Sequence, residues 1–144
     1  MNEVIKNLNE QVANWNVLYV KLHNFHWNVK GPSFFALHEK FEELYDQAAT
    51  HIDELAERVL ALKATPVGTM KEYLEMSSIK EATGTETASE MLQSLVADYT
   101  LMVDHLKAGV EASGNNDDVV TEGMLTDIIE ELEKHLWMLT ALLG

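Results

Sequence analysis

The sequence predicts an all-α protein: a four-helix bundle with a short extra helix in the long crossover between helices two and three. Three observations lead there. Apolar residues recur every three or four positions along four long stretches. Glycine and proline, seven and two in 144 residues, fall mostly at a few breaks between those stretches. No run of alternating apolar and polar residues is long enough to matter as a strand.

The first helix is expected over roughly residues 4–30, where Gly31-Pro32-Ser33 stops it. The second covers roughly 34–63. Its large apolar residues, Phe41, Leu44, Tyr45, Ala48, Ile52, Leu55, Val59 and Leu62, make one stripe that faces the core. Thr65-Pro66-Val67-Gly68 ends it. Thr69-x-x-Glu72 is a capping box that opens a short helix. Beyond Gly84, a second box, Thr87-x-x-Glu90, opens the third long helix, roughly 88–112. Gly114-Asn115-Asn116 separates it from the last, roughly 118–142. Short connections make helices one and two antiparallel neighbours, and likewise three and four. The middle connection, about 24 residues, is long enough to cross the bundle once. Bundles with two such crossovers do not fit this chain.

The length fits one domain, residues 1–144, able to bury a core without covalent help. The absence of cysteine excludes a disulfide scaffold, a thiolate metal site and a thiol nucleophile, and fits a reducing cytoplasm. The start, Met1-Asn2-Glu3-Val4-Ile5-Lys6, does not resemble a signal peptide. No stretch approaches the roughly 18 uninterrupted apolar residues of a membrane helix, so no membrane partner is expected. The chain carries 24 acids against ten Lys and Arg, for a formal charge of −14, and Arg58 is its sole arginine. Such a balance repels a phosphate backbone and attracts cations, although many ordinary soluble proteins share it.

On the second helix, His38, Glu42, Asp53 and Glu57 fall in an arc of roughly 100° beside the core stripe, where a second subunit could pack. The arc consists of two i, i+4 pairs, and each pair can reach one ion. Imidazole with carboxylate suits a hard or borderline cation such as ferrous iron. Glu42 and Asp53 are 11 residues apart, about 16 Å along the axis, so the pairs cannot share an ion within one helix. An antiparallel two-fold partner would bring the His38/Glu42 end of one helix to the Asp53/Glu57 end of the other. The competing explanation is a solvated flank, and Glu39, Glu43, Asp46 and Glu54 are read that way. The first helix adds His23 and His26, whose spacing lets both face one side. His51, His105 and His135 are assigned to structure or surface. The nearest string to a zinc-protease motif, His38-Glu39-Lys40-Phe41-Glu42, ends in Glu rather than His. No Glu-x-x-His occurs, the pair from which di-iron bundles build a site inside one subunit.

The run His26-Trp27-x-Val29-x-Gly31-x-x-Phe34-x-x-Leu37-His38-Glu39-x-Phe41-Glu42, continued by Asp53-Glu54-x-Ala56-Glu57-Arg58, resembles the signature of the Dps family of mini-ferritins. Lys134-His135-Leu136-Trp137-Met138 is similar to that family's last helix. The resemblance covers nearly the whole chain. It implies a ferritin-like four-helix bundle assembled as a homo-oligomeric cage of twelve subunits in tetrahedral symmetry. It implies ferroxidase centres at two-fold interfaces, with His26, His38 and Glu42 from one subunit and Asp53 and Glu57 from its partner. Glu42 stands where many relatives carry Asp, and Trp27 would line the centre. The implied cargo is iron. Two Fe(II) ions are oxidised per centre, with hydrogen peroxide the favoured oxidant, and ferric mineral is stored inside, which limits oxidative damage. The resemblance also implies acidic iron-access pores on three-fold axes near the start of the last helix. Asp118 and Glu122 are placed there, i, i+4 apart, and Asp127 and Glu131 continue that face as weaker candidates. Capping of the helix is the rival role for these acids, and Asp117 is assigned to it.

Many relatives bind DNA through a basic tail. Here the first twenty residues contain only Lys6, and Leu142-Leu143-Gly144 follow the last helix directly, so DNA binding is expected to be weak or absent. The alternative function is a nucleoid-compacting protein that uses the same cage, and a third is a helical interaction module without metal. Localisation is expected to be cytoplasmic, with nucleoid association under the alternative.

Overall fold

The computed structural model describes residues 1–144. It contains five helices and no strand: α1 (Asn2–Asn28), α2 (Phe34–Ala61), α3 (Met70–Met76), α4 (Ala88–Asn115) and α5 (Val119–Leu143). The four long helices form the bundle, and α3 sits in the crossover. α1 lies along α2 and α4 along α5, while α1 also packs on α4 and α3. No helix is long and apolar enough to cross a membrane.

The ends follow from local chemistry. Thr69 and Thr87 both form complete capping boxes, with Glu72 and Glu90 returning to the cap backbone. α2 ends two residues before the expected boundary because Lys63 turns left-handed, φ 67°, so that Ala64 N–H donates to the Val59 carbonyl. α4 runs to Asn115 and keeps Gly114 within the helix, so the break falls later than the glycine suggests. There Asp117 takes φ 56° and Asp118 N–H donates to the Ser113 carbonyl. Asp117 therefore does not cap α5. Asp118 does, accepting from Thr121 N–H.

The core is continuous through all four long helices, with Trp15, Phe25, Phe41 and Tyr99 as its largest fully buried side chains. Of the expected α2 stripe, Phe41, Leu44, Ala48, Leu55 and Val59 are buried, whereas Tyr45, Ile52 and Leu62 are half-buried at its edge. Gly109 sets the approach of α1 to α4. A Cβ there would lie 2.4 Å from Asn7 Oδ1, and Asn7 is fixed by donating to the His105 carbonyl.

Polar side chains also link α2 to α5. Lys40 donates to His135 Nδ1 at 3.2 Å, which leaves the proton on Nε2, facing Gln47 Oε1 at 2.5 Å. Burial, with the Lys40 charge adding, holds the His135 imidazole below its ordinary pKa. Like His51, this histidine is buried.

Candidate metal centre

The end of α1 and the start of α2 come together because the turn at Gly31 (φ 111°) folds one helix back along the other. This places His26 against His38, with ring centroids 3.7 Å apart and planes 12° from parallel. Each imidazole pairs with the other's backbone: His26 Nδ1 to the His38 carbonyl and His38 Nδ1 to the His26 carbonyl, both at 2.7 Å. A carbonyl only accepts, so both Nδ1 atoms carry the proton and both Nε2 atoms present lone pairs. Metal-ligating histidines are oriented in this way by a second hydrogen bond. Glu42, one turn beyond His38, brings Oε1 to 3.7 Å from His26 Nε2. His26 is buried at 6% exposure, whereas Glu42 faces out. The rings are thus fixed, and the carboxylate is free to adjust.

An aromatic wall flanks this half-site. His23 stacks on Tyr45 at 3.8 Å, Tyr45 lies edge-on to His26 at 5.3 Å, and Trp27 leans on His23 at 5.3 Å. Desolvation, together with the Glu42 and Asp46 carboxylates, pushes the Tyr45 phenol up. Trp27 is 70% exposed. His23 donates its Nδ1 proton to the Tyr19 carbonyl at 2.9 Å and belongs to the wall rather than to the His26/His38 pair.

The other half lies further along α2. Asp53 and Glu57 are both exposed, one turn apart. A proton shared with Asp53, and then Asp53's negative charge, raise the Glu57 pKa, with desolvation and Glu54 adding to it. The two carboxylates thus repel each other, a condition that a cation relieves. They face no imidazole within the chain. Nowhere does a single chain gather three or more His, Asp or Glu side chains that could hold one ion. The structure thus pairs His26 with His38 and sets Glu42 beside His26, without closing the three on one ion, and it places Asp53 and Glu57 apart from them.

Asp118, placed with Glu122 by sequence, is fully engaged. Its Oδ1 accepts from Thr121 N–H at 3.0 Å and from Arg58 Nη2 at 2.9 Å, and its Oδ2 accepts from the Thr121 hydroxyl at 2.5 Å. Burial opposes its ionisation, but the Thr121 hydrogen bonds and the Arg58 guanidinium outweigh it and hold its pKa low. Arg58 also donates to Thr121 Oγ1, which ties α2 to the start of α5. Glu122 is half-buried and Asp127 exposed, and both border one shallow depression with Val119. Glu131 is instead the partner of His51.

Comparison with known proteins places the fold. Residues 5–144 match the family described as "Ferritin-like domain". A Bacillus anthracis protein described as "DNA protection during starvation protein 2" is 60% identical over 142 residues, 99% of this chain and 97% of that one. The crystal structure of a Dps protein from Bacillus brevis superposes with a TM-score of 0.96 at 57% identity, covering 98% of this chain and 95% of its own. A Vibrio cholerae Dps structure, described as belonging to "a broad superfamily of ferritin-like diiron-carboxylate proteins", gives 0.96 at 37% identity over 99% and 90% of the two chains. With its all-helical fold and these relatives in accord, the chain belongs to the Dps family of ferritin-like iron-storage and stress-protection proteins.

Proposed function

We propose that this protein is a ferroxidase, with a two-iron centre shared between two subunits of a hollow dodecamer. The observation that carries the reading is the reciprocal Nδ1–carbonyl bonding of His26 and His38. It aims two imidazole lone pairs outward beside Glu42 while no further ligand from the same chain reaches them. Asp53 and Glu57 of the partner subunit complete the set when two α2 helices run antiparallel across a two-fold axis.

Iron is the substrate. Two Fe(II) ions each give one electron to one peroxide molecule, whose O–O bond breaks. With two waters the products are ferric oxyhydroxide and four protons, so the exposed carboxylates sit where protons and ions can leave. Fixed imidazoles set ligand geometry without reorganisation, and the aromatic wall of Tyr45, His23 and Trp27 borders the reacting ions. Pairing the two one-electron steps at one centre avoids release of a hydroxyl radical. The mineral collects in the cage, in the cytoplasm.

The direct test is to add Fe(II) and then peroxide to the purified assembly and measure iron retained per particle. Retention well beyond two ions per subunit is expected. Iron that stays outside the particle as precipitate would refute storage.

For iron access, we place Asp118 and Glu122 at the three-fold pore. Their roles differ. Asp118→Asn, at a cap and an Arg58 ion pair, is expected to cost about 1–2 kcal/mol of stability as well as charge. Glu122→Gln removes charge with little effect on melting. In stopped-flow uptake at low ferrous concentration, Glu122→Gln is expected to slow the reaction in an intact cage. Unchanged kinetics in both variants would remove these acids from the access route.

A further inference from the structure

Apart from the shared centre, a third histidine has a buried ring nitrogen without a partner. His51, on α2, is buried, its side chain 9% exposed, and its ring lies 4.8 Å from that of Trp15 on α1. On one side its Nε2 contacts Glu131 of α5 directly. A carboxylate there accepts the Nε2 proton, so the lone pair falls on Nδ1. Nδ1 is buried and has no hydrogen-bond partner. It faces Glu54 Oε2 at 3.9 Å. That gap is too long for a hydrogen bond. Two donors of one tetrahedral ion, each about 2.1 Å from it, lie roughly 3.4 Å apart, and the half-exposed Glu54 side chain closes that difference by a small rotation.

We infer that the α2–α5 face carries a cation site of its own, in which His51 Nδ1 and Glu54 take a divalent transition-metal ion and Glu131 holds the imidazole from behind. The carboxylate–histidine–metal relay is the arrangement that fixes tautomer and ring orientation in metal sites. Trp15 blocks the ring from tilting away. Two protein ligands leave the remaining positions to water. The adjoining cavity, about 480 Å³ and bordered by Asp127 and Met124, has room for it. Imidazole with carboxylate favours zinc, cobalt or ferrous ions over magnesium or calcium. Glu54 follows Asp53 in sequence, about 100° further round the helix, so the two sites open in different directions. The rival arrangement is an imidazolium between Glu131 and Glu54 with no metal.

The test uses the assembled protein carrying Asp53→Ala/Glu57→Ala, which disables the shared centre. Co(II) is titrated calorimetrically into this protein and into the same protein with Glu54→Gln, Glu131→Gln or His51→Phe added. His51→Phe retains a ring against Trp15. Glu54 is exposed, so Glu54→Gln leaves the fold intact and decides the matter even if His51→Phe assembles poorly. The expected result is one additional Co(II) per subunit, lost with His51→Phe and Glu54→Gln, weakened roughly tenfold with Glu131→Gln, and not displaced by excess Mg(II). The proposal is overturned by absence of that Co(II) in the parent background, by binding unchanged in Glu54→Gln, or by equal competition from Mg(II). None of these outcomes depends on ferroxidase activity, so failure here leaves the shared centre standing.

Discussion

Two inactive variants of this protein are expected to restore activity to each other. His26→Ala/His38→Ala removes the fixed imidazoles, and Asp53→Ala/Glu57→Ala removes the carboxylate pair. Each alone is expected to lose fast Fe(II) oxidation by more than about 100-fold, because losing even the outer partners of a metal ligand costs 10–100-fold. Co-assembled in equal amounts, half of the two-fold interfaces hold one chain of each kind. At such an interface one centre draws all its ligands from wild-type positions, and the symmetry-related centre keeps only Glu42. About a quarter of all centres are then intact, and about a quarter of the wild-type rate is expected. The design exploits the separation of the halves on α2, with His38/Glu42 near its start and Asp53/Glu57 eleven residues beyond Glu42. If particles shown to contain both chains stay as slow as either parent, the ligands are not divided between subunits.

DNA is expected to remain free in a gel shift with the assembled protein at about 0.15 M salt, where charges act over roughly 8 Å. Every subunit adds a formal charge of −14, and the sole arginine is committed to Asp118 and Thr121. Another internal cation is spent as well, since Lys21 pairs with Asp98 at 2.7 Å. Phosphate contacts by Lys and Arg supply most non-specific affinity, and the exposed lysines here stand among an excess of acids. Metal-independent retardation at that salt would favour the nucleoid-compacting alternative. Retardation only with added divalent cations would show bridging between acidic surfaces.

Much of the architecture could be read from local signals. The two capping boxes, the apolar spacing of α2 and the length of the crossover depend on residues close in sequence, and all reappear in the structure. Failures occur where a non-local or backbone preference decides. Lys63 ends α2 by adopting a left-handed conformation that its side chain does not announce. Asp117 and Asp118 are adjacent acids. Asp118 caps because the left-handed turn at Asp117 places it at the start of α5, and Arg58, sixty residues away, holds its carboxylate, which a scan of the α5 sequence cannot see.

The candidate centre divides the same way. The i, i+4 pairs and their placement beside the core stripe can be read from the sequence, as can the 11-residue gap that keeps the two pairs apart within one chain. What fixes the His26 and His38 rings against each other cannot. Their mutual bonding to each other's backbone spans twelve residues and depends on the Gly31 turn. The partial burial of Tyr45 beside Glu42, and the buried His51–Glu131 contact between α2 and α5, likewise exist only after the helices pack. Sequence assigned His51 and His135 to structure or surface by default, and packing makes both of them interior.

The central claim is that one iron centre is assembled from two chains. The measurement that bears on it most directly is anomalous scattering at the iron edge from crystals loaded anaerobically with Fe(II). The account predicts iron between His26, His38 and Glu42 of one subunit and Asp53 and Glu57 of the partner subunit, at every two-fold interface. Iron bound wholly within one subunit, or a two-fold interface bearing no iron at these residues, would contradict it.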